Sequence, residues 1–339
     1  MITAIRSNLR PMNTLIVRSY VGETDLEPIA HLLNICAKFD RSDRYHSASG
    51  LSAEYAEPGF DAARNLRLWA DAEGKLIAIA SLWLPEVSEN LEASGWLMFH
   101  VHPTQRDHGL EFDIIAWGEV RMQALAAERG LFAKLYLACR DDQVDRVALY
   151  EACGYELERR SLRMARSLSE PIAEPQFPNG FTLSHSRGAE DAAAWVEAHN
   201  ESFSDHWGTY PMTIAEHSYW LSQPDYLPEL DLVAIADGKV AAFCFCHIDL
   251  EDNQHRHCLE GWINILGTRR SFRRQGLGRA MLLAGLRKLK AKGMETARLG
   301  VDAENAHGAQ ALYESVGFRQ LHVKLSFTKS LRDSNCQGG

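Results

Sequence analysis

Arg273-Arg274-Gln275-Gly276-Leu277-Gly278 decides the fold; an apolar run ending at Leu266-Gly267 precedes it and an apolar helical pattern follows it. Gly276 and Gly278 remove side chains where the backbone must curl, so that its N–H groups converge. The following helix points its positive end at the same spot. Such a nest binds phosphate, and two adjacent arginines add permanently charged, bidentate donors. A Walker loop would need Gly-Lys-Ser/Thr, and this chain reads Gly-Leu-Gly-Arg-Ala. A dinucleotide fingerprint would place a third glycine where Met281 stands.

Past the helix comes a strand, Ala297-Arg298-Leu299-Gly300-Val301, then Asp302-Ala303-Glu304-Asn305, then a helix with Ala309, Leu312 and Tyr313 closed by Gly317-Phe318. Taken together, Arg273-x-x-Gly276-x-Gly278 and the segment from Val301 to Gly317-Phe318 resemble the GCN5-related N-acetyltransferase (GNAT) family. The resemblance spans roughly Phe181 to Lys329 and implies acetyl-coenzyme A as co-substrate.

The 339 residues, 46% of them hydrophobic, suit two domains of ordinary size. A net charge of −9 argues against a nucleic-acid partner, because phosphate backbones reward a basic surface. No apolar run approaches membrane-spanning length, and Met1 to Thr14 lack a signal-peptide core, so the expected location is cytoplasmic. Seven cysteines without CxxC spacing form no disulfide framework, and Cys244 and Cys246 read as small strand residues. The cluster His255-x-His257-Cys258 has no further ligands at metal-site spacing, so no metal is expected. The oligomeric state is left open.

Residues 169–180 are proline-rich and read as a linker between halves at 1–168 and 181–330, with a tail at 331–339. The halves are alike. Each has a hairpin turn (Glu73-Gly74-Lys75; Asp237-Gly238-Lys239), a Gly-Trp strand start (Gly95-Trp96; Gly261-Trp262), a loop and an apolar helix. Each closes on Leu-Tyr-Glu-x-x-Gly-aromatic, at Leu149-Tyr150 and Leu312-Tyr313. The expected fold is mixed α/β, two tandem GNAT-like domains, each with a central sheet flanked by helices. The resemblance implies that each sheet is mostly antiparallel and splayed where coenzyme A enters. The N-terminal loop reads Arg106-Asp107-His108-Gly109-Leu110-Glu111, with a carboxylate in place of the second glycine. That substitution repels a diphosphate and blocks the close approach of the backbone. The N-terminal half is therefore expected to be degenerate and the C-terminal half catalytic.

By resemblance, Leu266, Gly267 and Thr268 pair with the pantetheine arm, and one of their N–H groups faces the thioester oxygen as it gains charge. Arg273, Arg274, Gln275, Gly276, Leu277, Gly278 and Arg279 hold the diphosphate. Tyr313 is the candidate general acid for the leaving thiolate. Asn305 touches the pantetheine arm or caps the helix. Along Glu260 to Leu266, strict alternation puts Ile263 and Ile265 on one face and Glu260, Trp262 and Asn264 on the other. Glu260 is then the candidate base. Glu201, Asp205 and Trp207, in a segment rich in aromatic and polar groups, are the candidate acceptor contacts. The pairing of Phe203 with Trp207-Gly208 in a tandem chain is similar to the mycothiol synthase branch. The expected reaction is N-acetylation of a small-molecule primary amine by direct attack on the thioester. A non-catalytic acyl-coenzyme A module, or an enzyme acting on protein N-termini or amino-sugar antibiotics, is the alternative.

Overall fold

A computed structural model describes residues 15–85, 92–305 and 307–331. The chain divides into two compact units, Met1–Glu158 with Ser326–Gly339, and Arg159–Leu325.

The first unit contains β1 (Ile16–Ser19), α1 (Leu26–Phe39), α2 (Ala48–Tyr55), α3 (Ala62–Asn65), β2 (Leu66–Ala70), β3 (Leu76–Trp83), β4 (Glu92–Val101), α4 (Leu110–Glu128), β5 (Phe132–Arg140) and α5 (Val144–Ala152). Strand β6 (Glu156–Ser167) then leads into the second unit. The second unit continues with β7 (Thr182–His185), α6 (Ala192–Phe203), α7 (Ile214–Leu221), β8 (Asp231–Ala236), β9 (Lys239–His247) and α8 (Leu250–Arg256). It is completed by β10 (Glu260–Thr268), α9 (Leu277–Ala291), β11 (Thr296–Asp302), α10 (Ala309–Ser315) and β12 (Arg319–Leu331).

The strands and helices of the two series repeat in the same order, with the hairpins β2–β3 and β8–β9 at the two glycine turns; only α3 in the first series and α8 in the second are extra. Strand order is β1-β2-β3-β4-β5 in the first unit and β6-β11-β10-β9-β8-β7 in the second, with β12 divided between the units at Ser326. The closing strands do not follow the repeat. β6, which ends the first series in sequence, pairs antiparallel with β11 from Ser161↔Asp302 to Ser167↔Thr296. The last residues of β12, from Ser326, belong to the first unit, where Phe327 packs edge-on against Tyr150.

The pairs β1–β2, β2–β3, β3–β4, β6–β11, β10–β9, β9–β8 and β8–β7 are antiparallel. β4 and β5 run parallel over Glu92–Trp96, and β10 and β11 over Glu260–Trp262. Beyond Trp262 the two strands separate, so the β11-facing edge of β10 has no strand partner from residue 263 on.

In the second unit, α9 holds one face of the sheet. Leu277, Met281, Ala284 and Leu289 recur at helical spacing and join Cys244, Cys246, Ile263, Leu299 and Tyr313 in one core. The other face packs Phe243, Val233 and Val240 against Trp195 and Val196 of α6. Among the described residues no helix is long and apolar enough to cross a membrane.

Candidate active site

The sheet opens at a bulge. β10 pairs with β9 at Ile263↔Cys246 and then at Ile265↔Phe245, so Asn264 is an extra residue with no partner in β9. One inserted residue reverses the alternation. Ile263 enters the α9 core, whereas Ile265 joins the α6 side. The expectation that the two isoleucines share a face is therefore corrected. Upstream of the bulge, alternation holds, with Glu260 and Trp262 opposite Ile263. Asn264 is exposed at the mouth of the gap. Beyond it, Leu266 packs on the α9 core, and a side chain at Gly267 would meet the Phe243 ring at 2.2 Å.

After Thr268 the chain turns toward α9. Arg274 and Gly276 take the left-handed conformation, with φ of 64° and 81°. Gly276 suits that region, while Arg274 carries a side chain in it. Gly278 lies in the first turn of α9, where an added Cβ would fit without a clash, in ordinary contact with Thr268 Oγ1 at 3.6 Å and Leu312 at 3.8 Å. Arg274, Gln275 and Arg279 are exposed. Arg274 forms no hydrogen bond or ion pair with any described residue, and Arg279 donates to Ser315 Oγ at 2.7 Å.

Arg273 differs from the expected phosphate donor. Its Nε donates to the Thr268 carbonyl (3.3 Å), its Nη2 to the Ser202 carbonyl (2.8 Å), and its Nη1 to Asp205 (3.2 Å). Arg270 stands 3.4 Å from the same carboxylate, and His307 Nε2 lies 3.1 Å from it. The Arg273 hydrogen bond, opposed by desolvation, pulls Asp205 down to about 2. Beside it, Arg269 bonds Glu201 at 2.6 Å and Glu197 at 2.5 Å. Glu201 and Asp205, expected to face the acceptor, instead tie α6 to the arginine-rich loop. Trp207 sits under the Arg159 guanidinium, 5.6 Å from ring centroid to Cζ, and Arg159 also grips Asp302.

The first unit explains why Arg273 is a brace. Arg106 makes the same bonds there, to the Val101 carbonyl (3.0 Å) and bidentate to Asp40 (2.6 and 2.8 Å). Asp107 and Gly109 repeat the left-handed pair, with φ of 63° and 92°. The curl and its arginine are thus common scaffold, and the loops differ at the position of Gly278. There the first unit has Glu111, whose carboxylate accepts from the backbone N–H groups of Glu111 and Asp107. Burial pushes the Glu111 carboxyl upward despite those bonds. The nest of the first unit is filled by its own side chain. Its Tyr150 is also sealed, 1% exposed and donating to the Ala138 carbonyl at 3.3 Å.

Tyr313, by contrast, lines the α9 face next to the gap. It is 8% exposed, packs edge-on to Phe318 at 6.0 Å, and hydrogen-bonds to no described residue. Burial raises its pKa, with a further push from Cys244, which pairs with Leu266 across β9 and β10. Asn305 closes the turn before α10: its Oδ1 accepts from the N–H groups of His307 (2.9 Å) and Ala309 (3.5 Å).

Glu260 is held away from this site. One carboxylate oxygen bonds Arg298 (2.7 Å), the other Arg256 (2.9 Å), and its side chain is 11% exposed. It also lies six residues before Leu266, roughly 20 Å along a strand. With a guanidinium on each oxygen, Glu260 is held in a double ion pair, where the sequence reading expected a free base. Sequence reading did not foresee the bulge at Asn264. It also missed Arg163, which stacks on Trp262 at 5.3 Å, because β6 was not expected beside β11. Among the described residues no three His, Cys, Asp or Glu side chains gather as metal ligands.

A splayed sheet whose gap meets a glycine-rich helix start defines an acyltransferase of the coenzyme A-dependent kind. The family described as Acetyltransferase (GNAT) matches residues 192–318. A Mycothiol acetyltransferase of Streptomyces scabiei is 30% identical over 67% of this chain and 69% of its own. Another, from Streptomyces bingchenggensis, is 27% identical over 87% of this chain and 91% of its own. The GCN5-related N-acetyltransferase of Sphaerobacter thermophilus superposes with a TM-score of 0.72 at 25% identity, covering 94% of this chain and 96% of that one. A tandem GNAT protein from the clavulanic acid biosynthesis pathway shares the fold, with a TM-score of 0.71 at 15% identity over 95% and 100% of the two chains.

The chain belongs to the GNAT family and is an N-acetyltransferase.

Proposed function

We propose that the second unit transfers an acetyl group from acetyl-coenzyme A to the primary amine of a small molecule, and that the first unit is catalytically silent. The observation that carries this reading is the contrast between two loops of the same shape, one bearing Glu111, whose carboxyl takes backbone hydrogen bonds from its own loop, and the other bearing Gly278, which has no side chain to compete for those N–H groups.

The residues of the second unit fit the coenzyme. Backbone N–H groups at Leu277, Gly278 and Arg279 are the orphan donors of a 15-residue helix, and Gly278 puts no side chain in the way of a diphosphate that approaches them. Arg274 supplies a free guanidinium, and Gln275 and Arg279 flank it. The unpartnered edge of β10 at Leu266, Gly267 and Thr268 offers backbone groups to the pantetheine amides. An N–H on that edge stabilises the thioester oxygen as it gains charge.

Tyr313 donates its phenolic proton to the departing sulfur. Its burial keeps the phenol protonated at neutral pH, and the same apolar surroundings raise the basicity of the thiolate it serves. With Glu260 engaged by Arg256 and Arg298, the amine proton leaves through water at the mouth of the gap beside Asn264. Arg269, Arg270 and Arg273, braced by Glu201 and Asp205, hold the loop in register with α6.

The relatives' name favours a second reading of the acceptor, a cysteinyl-sugar amine. A coenzyme-consumption screen against amines, with such conjugates included, tests the activity. Turnover with at least one amine that Tyr313→Phe removes is expected. Tight acetyl-coenzyme A binding without turnover across the screen would refute the catalytic reading and leave a binding module.

A further inference from the structure

Tyr313 stands on a helix of only seven residues, α10. A helix that short does not hold itself and takes its direction from what its ends touch. At the C-terminal end the backbone closes on itself first. Gly317, with a φ of 95°, follows the C-cap Val316. Its N–H donates to the Glu314 carbonyl at 3.0 Å, and the N–H of Phe318 donates to the Tyr313 carbonyl at 3.1 Å. The Val316 carbonyl lies beyond this closure and receives its donor from another element, Nη1 of Arg166.

Arg166 belongs to β6, two residues after Met164 and four after Leu162, both of which enter the α9 core that contains Tyr313. It is 6% exposed, and its hydrogen bonds all go to carbonyls: those of Val316, Ser167 (3.2 Å) and Pro171 (3.3 Å). Burial pulls its pKa down, opposed by Glu170. A buried guanidinium that bonds no carboxylate is costly, and the negative end of α10 offsets part of that cost.

The first unit repeats the arrangement. There the N–H of Gly154 donates to the Glu151 carbonyl (2.9 Å) and that of Tyr155 to the Tyr150 carbonyl (3.0 Å). The C-cap carbonyl, Cys153, receives Nζ of Lys329 at 2.9 Å. The spacing from Tyr150 to Cys153 to Arg166 equals that from Tyr313 to Val316 to Lys329. Within each unit, then, the capping cation comes from the strand that ends the other series. The two caps differ in what else they hold. Lys329 also bonds Glu119 at 2.8 Å, whereas Arg166 bonds carbonyls alone. The tyrosines differ as well: Tyr150 is fixed by the Ala138 carbonyl, while Tyr313 has no hydrogen bond to a described residue and is aimed by its helix.

We infer that Arg166 is a positioning residue for Tyr313: by holding the Val316 carbonyl it fixes the end of α10, and with it the line along which the phenol meets the coenzyme sulfur. This rests on the acetyltransferase reading of the second unit and names what aims its acid. The strand that ends the silent series thereby supplies a working part of the active unit.

Arg166→Met removes the donors and the charge with little loss of bulk. Its kcat is expected to fall tenfold or more, with the amine KM within threefold and the acetyl-coenzyme A Kd within twofold. Arg166→Lys, the residue type that caps the first unit, is expected to keep kcat within threefold of the parent. Lys329→Met strips the matching carbonyl of the first unit and serves as the control. It is expected to lower the melting temperature and leave kcat within twofold. Should Arg166→Met fail to fold, Arg166→Gln, which keeps an uncharged donor, is expected to lower kcat threefold or more at the same Kd. A loss of kcat below threefold in the folded Arg166 variant would overturn the inference. So would equal losses in Arg166→Met and Lys329→Met, or a kcat no higher in Arg166→Lys than in Arg166→Met. A parent protein that consumes acetyl-coenzyme A with no amine would refute the acetyltransferase reading before any variant is made, and this inference with it.

Discussion

Gly278→Glu would give the second unit the residue that fills the nest of the first. Gly278 has no clashing neighbour, with Thr268 Oγ1 at 3.6 Å and Leu312 at 3.8 Å from an added Cβ. The fold should tolerate the change. Glutamate replaces glycine in a helix with a gain of roughly 0.5–1 kcal/mol, and a first-turn carboxylate adds about 0.3–1 kcal/mol. The melting temperature should therefore hold or rise slightly. Binding should respond the other way. A carboxylate near 4 Å from a phosphate charge meets a repulsion of about 4 kcal/mol at an effective dielectric constant of 20, and it also occupies the N–H groups the diphosphate needs. Discounted severalfold for solvent access, this still predicts about tenfold weaker acetyl-coenzyme A binding. Isothermal titration and a thermal melt on the same sample read both sides. A stable variant that binds acetyl-coenzyme A within threefold of the parent would refute the placement of the diphosphate.

The remaining predictions divide the site by role. Tyr313→Phe should lower kcat by about 10²-fold or more with the acetyl-coenzyme A Kd within twofold, measured by steady-state kinetics and titration. Arg273→Gln should lower the melting temperature, since it strips Asp205 and two carbonyls of their donor, whereas Arg274→Gln should leave stability alone and weaken coenzyme binding about tenfold. Glu260→Gln should cost stability and leave turnover within a few-fold, and a collapse of kcat there would restore it as the base. Buried His217, pushed down to about 4, stays neutral in the fold while the unfolded chain takes up a proton below 6.5, so it lowers stability as pH falls through that window. Asp231, raised to about 6 by burial, does the opposite between 6 and 3.8. Thermal melts from pH 6.5 to 4.5 should therefore fall more steeply in Asp231→Asn and flatten or rise in His217→Gln.

Much of this site is legible in the chain because its parts are local. The pair Gly276 and Gly278 before an apolar helix, and Leu312-Tyr313 before Gly317-Phe318, each lie within one short segment whose backbone demands can be read residue by residue. The two hairpin turns are equally local. What the sequence conceals is non-local. Nothing in Trp262-Ile263-Asn264-Ile265 distinguishes an alternating strand from one with an inserted residue, because the bulge is defined by the partner strand β9. The arginines misled in a similar way. Arg273 looks like a phosphate ligand until its partners, Asp205 and the Ser202 carbonyl, are seen roughly seventy residues earlier in the chain. Glu260 was assigned by face alone, and the face was right, but Arg256 and Arg298 had claimed it. Strand exchange hid most, since Arg163 reaches Trp262 only because β6 lies beside β11.

The most direct measurement is a crystal structure of the protein grown with saturating acetyl-coenzyme A. One coenzyme per chain is predicted, its diphosphate against the N–H groups of Leu277 and Gly278 and its sulfur near Tyr313, with Glu111 still folded onto its own loop. A diphosphate bound at Leu110 with Glu111 displaced, or one placed anywhere other than the start of α9, would contradict the account.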